Sequence, residues 1–311
     1  MEPFVVPVLV IGFNRPDRLR EVLKRVEPFG VKRLYVAIDG PRNEADEDRV
    51  NDTRDVVKER SWAEQSITRF RDHNLGCRRG VIDAVTWALE KEPAVIVIED
   101  DALPEPSFFG YAIELLERYK FESSVLAITG ESKVPLALTP RDTSYRFSKM
   151  GPAGAWATWH DRWSSFIKTR DIDFPHVLWK IGKSPSLTAA QKLYWSALML
   201  ANETRAMDSW AYPYMLHGLL DGRLTATPNC NLIEDTGIGP EARHMREADV
   251  LAQPVAPIEM PLRHPASVTI DELAELWSDE HEFNTTPRGL VRSSNRFVRR
   301  WCHLPTPKPR N

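Results

Sequence analysis

The sequence predicts an α/β fold: a mostly parallel sheet with helices on both faces. Three observations predict it. Short, almost wholly apolar runs recur along the first 130 residues. Between them lie stretches whose apolar residues fall at helical spacing. The runs carry no polar alternation, as expected of strands buried on both faces.

The first run, VPVLVIGF, is residues 6–13, and NRPDRLREVLKRV follows with Leu19, Val22, Leu23 and Val26 on one helical face. Asn14 is placed to cap that helix, with proline in its first turn. KRLYVAIDG repeats the apolar run and stops at Asp39-Gly40. An acidic helical stretch, SITRFRDHNLG, the helical RRGVIDAVTWALEK and then AVIVIEDD complete the alternation, and VLAITG at 125–130 reads as a further strand. Beyond residue 144 the pattern loosens. A helix is expected over LTAAQKLYWSALMLAN, followed by MDSWAYPYMLHGLLDG and a strand-like RLTATPN. A Pro-rich connection, a short helix at TIDELAELWSDEH and a tail without acids from Phe283 to Asn311 close the chain.

Bulk properties exclude several classes. Lys+Arg 41 against Asp+Glu 44 gives a net charge of −3, so no bulk basic field for nucleic acid exists. Three widely spaced cysteines offer neither a disulfide framework nor a Cys-x-x-Cys zinc site. No apolar run approaches the ~20 residues of a membrane span. With an N-terminus that reads as a first strand rather than a leader, the expected compartment is cytoplasmic.

In open parallel sheets, ligands bind at the carboxyl ends of the strands. Asn14 and Arg15, then Asp39, then Asn74 to Arg79, then Glu99, Asp100 and Asp101 should therefore converge at one rim. The triplet is the costly feature, since two charges ~4 Å apart at an effective dielectric of ~20 repel by about 4 kcal/mol. Alone, the triplet would be read as capping the next helix. Set among the other strand-end residues it reads as a cation site, and hard oxygen ligands suit Mg²⁺ or Mn²⁺. Asn74 and Gly76 form a turn at a helix start, with Arg78 or Arg79 directed at phosphate.

These pieces resemble the GT-A glycosyltransferases, in particular the N-acetylglucosaminyltransferase I group and similar bacterial nucleotide-sugar transferases. PVLVIGFNRP, VAIDG, NLGCRRGV, AVIVIEDD, FSKMGPAGAWATWHDRW, MDSWAYPYMLHG and TPNCNLIEDTGIGPEARH carry the resemblance, in unbroken order over roughly residues 5 to 245. It implies a Rossmann-like nucleotide-sugar half (1–130), an acceptor-binding and catalytic half of the same domain (131–250), and a C-terminal extension of helix plus basic tail (251–311). It implies a nucleotide-diphosphate sugar donor, UDP-linked in most of the group, a divalent ion, and hexosyl transfer with inversion to a glycan or lipid-linked acceptor hydroxyl. Residue by residue, Asp39 matches the acid that binds the base and Arg15 an arginine near the nucleotide. Glu99 and Asp100 match contacts to ribose and sugar, and Asp101 the metal ligand of a DXD-type motif. Trp156 falls on the glycine-containing loop near the donor sugar, and His244 at a late metal or diphosphate contact. Asp208 aligns with the catalytic base; its structural alternative is a helix N-cap.

Two other functions share parts of this pattern. A sugar nucleotidyltransferase normally opens with a Gly-rich phosphate loop, where this chain has Asn-Arg-Pro. A non-catalytic nucleotide-sugar-binding protein would hold the donor without turnover. The basic tail offers a peripheral contact to anionic headgroups at the inner membrane face, against the alternative of a solvated terminus.

Overall fold

The computed structural model describes residues 6–170, 173–236 and 253–286. The expected alternation is present. Strand β1 (Val8–Gly12) leads to α1 (Pro16–Val26), β2 (Arg33–Ile38), α2 (Glu44–Lys58), β3 (Gln65–Phe70), α3 (Gly76–Leu89) and β4 (Ala94–Glu99). A short β5 (Ala102–Pro104), α4 (Ser107–Arg118) and β6 (Val125–Thr129) follow. The second half adds β7 (Tyr145–Ser148), β8 (Ala155–Trp159), α5 (His160–Arg170), α6 (Phe174–Lys183), α7 (Ala189–Glu203), α8 (Ala211–Leu220), β9 (Leu224–Pro228) and β10 (Ile233–Asp235). A last helix, α9 (Glu272–Trp277), runs into one π-helical turn at Ser278–Glu282.

Eight strands form one sheet in the order β3-β2-β1-β4-β8-β6-β9-β7. The block β3-β2-β1-β4 is parallel; β8 and β7 run against their neighbours, while β6 and β9 pair in parallel. The sheet is therefore mixed and mostly parallel, and β8 from the second half is inserted between β4 and β6 of the first. Residues 253–286 join the same body through bridges of Val255 to Asn231 and Ile270 to Phe147.

The period-2 geometry of a strand divides its residues between the two faces. Val8 and Val10, with Leu34, Val36, Ile96 and Ile98, meet α1, α2 and α4 through Leu19, Leu23, Val50, Phe108 and Leu115. Leu9, Tyr35, Val95 and Val97 meet α3, α5 and α8 through Val81, Val85, Trp163 and Tyr214. Each fully buried branched side chain contributes about 1.5–3 kcal/mol, so burial on both faces explains the absence of polar alternation. A third cluster, with Ile181, Trp195, Met199, Met215 and Leu216, lies under α6, α7 and α8.

Local differences from expectation have identifiable causes. Asn14 does not cap α1: Arg15 is the N-cap residue without a side-chain cap bond, and the Asn14 amide donates to Asp46 at 3.2 Å. The acidic triplet does not cap α4 either. Strand β5 intervenes and pairs with β10, and the Glu105 carboxylate accepts from the Ser107 amide at 2.7 Å.

Candidate functional site

The chain leaves β1 toward β2 and β3, then α3 brings it back to β4 on the other side of β1. The strand order reverses between β1 and β4, which is where such sheets open a crevice. Register brings Gly12 level with Ile38 and Ile11 level with Glu99, so the polar residues that follow these positions emerge at one rim.

On the β4 side, Arg15 is the cation set among the acids. Its Nη1 lies 3.3 Å from Asp100 Oδ1 and 3.0 Å from Asp101 Oδ2. The Phe13 amide donates to Asp100 Oδ2 at 3.2 Å, and the Gly154 amide to Glu99 Oε1 at 3.2 Å. One guanidinium does not balance three carboxylates. Burial, then the charges of Asp101 and Asp100, push Glu99 up to about 8, against the pull of the Gly154 amide and the Trp210 side chain. Burial and Asp101 raise Asp100 to about 6, while Arg15, the Phe13 amide and Arg18 oppose the rise. The shortage of positive charge therefore favours the protonated form in this coupled pair of carboxyls, Glu99 more than Asp100.

Asp101 is the more open member, its side chain 35% exposed. Its carbonyl accepts from the Thr236 amide at 2.8 Å and hydroxyl at 2.9 Å, and the Arg18 guanidinium donates to the Thr236 carbonyl. Arg18 lies one helical turn after Arg15, and that spacing is the sequence signal for its position at the same rim. Thr236 ends the described stretch before His244, which lies outside the described residues.

On the β2 side, Asp39 is ringed by donors. Its carboxylate accepts from the amides of Gly40 (2.9 Å), Leu75 (2.9 Å) and Gly76 (3.2 Å) and from the Asn74 side chain (3.0 Å). Burial raises its pKa and the three amides hold it back. The first amides of α3, an anion site in principle, are thereby filled by the protein's own carboxylate. Two glycines permit this closeness. A Cβ on Gly40 would lie 2.5 Å from the His73 backbone, and Gly76 has φ +80°.

Asp208 arrives from the segment before α8. Its Oδ2 would lie 2.8 Å from a Cβ on Gly76, so the carboxylate stands beside the α3 start. It is exposed and caps nothing: α8 begins at Ala211 behind Trp210, without a side-chain cap bond. The Ser209 amide donates to Asn202 Oδ1 at 3.1 Å, fixing this segment to α7. Trp210, two residues on, reaches Glu99. The 208–210 segment therefore lies against the α3 start at Asp208 and reaches Glu99 at Trp210.

The remaining expected residues are distributed differently. Arg78 turns toward α7, donating to the Asn202 carbonyl at 3.4 Å. Arg79 is exposed on α3. Trp156 is a correction: it lies inside β8 rather than on the glycine-containing loop. Its ring is 0% exposed and stacks on Trp210 at 4.8 Å between centroids, so it is core. It reaches the site through Trp210, whose side chain bonds Glu99.

Among the described residues no group of three or more His, Cys, Asp or Glu is arranged to hold a metal ion. Asp100 engages both oxygens, Oδ1 with Arg15 and Oδ2 with the Phe13 amide, whereas Asp101 gives Arg15 its Oδ2 alone and is the more exposed, so a cation would meet Asp101. That fits an ion of the magnesium type, which takes one or two carboxylates and completes its shell with phosphates and water.

Comparison with known proteins adds little. No protein-family model matches the chain, and no curated protein matches it. Solved structures with similarity include a UDP-glucose pyrophosphorylase complexed with UDP-glucose, at 9% identity and a TM-score of 0.30, covering 52% of this chain and 80% of that one. Another is a galactosyltransferase in complex with donor and acceptor sugar analogues, at 13% identity and a TM-score of 0.30, covering 71% and 73%. At these scores neither likeness carries an argument, and the functional reading rests on the rim itself.

Proposed function

We propose that the chain is a nucleotide-sugar enzyme, and specifically a metal-dependent inverting glycosyltransferase that uses a UDP-linked or similar donor. The observation that carries this reading is the rim at which the strand order reverses between β1 and β4. Arg15 and a partly exposed Asp101 stand there, and the exposed Asp208 stands beside the α3 start.

In this reading Arg15 and Arg18 bind the diphosphate by charge-assisted hydrogen bonds. Asp101 and, outside the described residues, His244 would hold Mn²⁺ or Mg²⁺, which would supply positive charge to the leaving diphosphate. Glu99 contacts a donor-sugar or ribose oxygen, and Asp100 keeps Arg15 oriented. Asp39 fixes the β2–α3 turn against which the base lies. Arg79 is the exposed cation available to phosphate, and Arg78 supports the Asn202–Ser209 connection. Asp208 takes the proton of an acceptor hydroxyl as its oxygen bonds to the anomeric carbon. The bond from that carbon to the diphosphate oxygen breaks, and the nucleoside diphosphate leaves with inversion. A carboxylate base of this kind contributes ~10²–10⁴-fold.

A sugar nucleotidyltransferase would use the same rim without a base across from it, and Asp208 favours transfer to a hydroxyl. A screen of UDP-, GDP- and dTDP-sugars by thermal shift, with and without Mn²⁺, followed by a turnover assay, tests the reading. Stabilisation by one nucleotide-sugar series only with metal, and release of its diphosphate, is expected. No stabilisation by any of them would overturn it.

A further inference from the structure

We propose that the α6–α7 hairpin is a docking face for an anionic phospholipid surface. From Phe174 to Asn202 the chain contains no Asp or Glu, yet carries Lys180, Lys183 and Lys192, in a protein whose net charge is −3. Both helices bury one side in the same cluster: Ile181 with part-buried Phe174, Val177 and Leu178 from α6, and Trp195 and Met199 with part-buried Tyr194 and Leu198 from α7. The two helices pack on one another, and Lys192 Nζ donates to the Gly182 carbonyl at 2.8 Å. Their outer sides therefore look the same way.

That outer side is apolar. Trp179 is 57% exposed, Leu193 62% and Leu200 50%, and Ala197 lies on the same exposed stripe of α7 as the two leucines. Pro175 and Lys183 are exposed on the side of α6 that carries Trp179. Within this stretch the flanking acids are Asp173 before α6 and Glu203 in the last turn of α7; from outside it, Asp279 accepts from the Gln191 side chain of α7 at 3.2 Å, on the buried side of that helix. An exposed tryptophan and leucines rimmed by lysines match a bilayer interface, where rings and aliphatic chains enter the headgroup boundary and ammonium groups meet lipid phosphate. The charge sign selects anionic lipid, and among the described residues no helix is long and apolar enough to cross the membrane.

The test is co-sedimentation of the full chain with vesicles of one part phosphatidylglycerol to two parts phosphatidylcholine, against phosphatidylcholine alone. The parent protein should bind the anionic vesicles, release with added salt, and bind neutral ones weakly. Lys183→Gln with Lys192→Gln should weaken binding by about five-fold per lysine. Trp179→Gln with Leu193→Gln and Leu200→Gln should abolish it, with an unchanged melting midpoint because these side chains are exposed. The basic segment 287–311 stays in every variant, so binding that survives the hairpin substitutions overturns the proposal. So does equal binding to neutral vesicles, or no binding by the parent. A soluble dimer that binds no vesicle and is dissolved by the same substitutions would assign the face to a second copy instead.

Discussion

Two strand ends carry acids at the rim, and their surroundings differ. Asp39, at the end of β2, meets three backbone amides and a side-chain amide. Of Glu99, Asp100 and Asp101, at the end of β4, the two aspartates pair with one arginine and the cluster accepts from two backbone amides, and Glu99 and Asp100 are pushed up from the carboxylate range. A carboxylate ringed by fixed dipoles is complete. A cluster short of positive charge binds protons until something better arrives. The first arrangement holds the β2–α3 turn and the second, in the proposed reading, meets the ligand, although both read as acid after an apolar run.

The sharpest break between structure and chemistry is Asp208→Asn. It should lower turnover by ~10²–10⁴-fold while leaving nucleotide binding near the parent value, measured by initial rates beside calorimetry. Loss of both together would make Asp208 part of the binding frame.

Asp39→Ala should act on stability. It strips partners from the amides of Gly40, Leu75 and Gly76, each costing ~1–3 kcal/mol where water does not replace the carboxylate, so a loss of about 3 kcal/mol is expected in urea unfolding. Asp101→Asn, breaking a half-exposed pair, should cost under ~1 kcal/mol. Equal losses would erase the contrast between the two strand ends.

A smaller effect is the pH dependence of the metal-free protein. The folded-state values of Glu99 and Asp100 lie above the ordinary carboxylate range. Their favourable contribution is therefore complete below that range and is lost as pH rises through about 6 and then about 8. The melting midpoint should fall as pH rises from about 5 to about 8 and level off above, and Glu99→Gln, which mimics the protonated acid, should flatten the fall.

Much of the first half is legible in the sequence. Apolar runs at 8–12, 33–38 and 94–99 leave no other burial for themselves, and the topology they imply gathers the strand-end residues. Which residue meets which is not legible. Arg15 and Asp101 are far apart in sequence, and so are Asp39 and Leu75; their pairing depends on sheet order. Trp156 shows the same limit from the other side. Next to glycines it reads as a loop residue, but pairing of β8 with β4 and β6 turns the segment into a fully buried strand. Short elements such as β5 and β10 exist only because they pair with each other.

The most direct measurement is calorimetric titration of Mn²⁺ with UDP at pH 7 in two buffers of different ionisation heat, on the parent protein and on Asp101→Asn. Arrival of a cation at the β4 acids, whose coupled carboxyls are pushed up, should be accompanied by net proton release, and Asp101→Asn should lose metal-dependent binding. Binding that releases no proton and is unchanged in the asparagine variant would contradict the assignment of this rim.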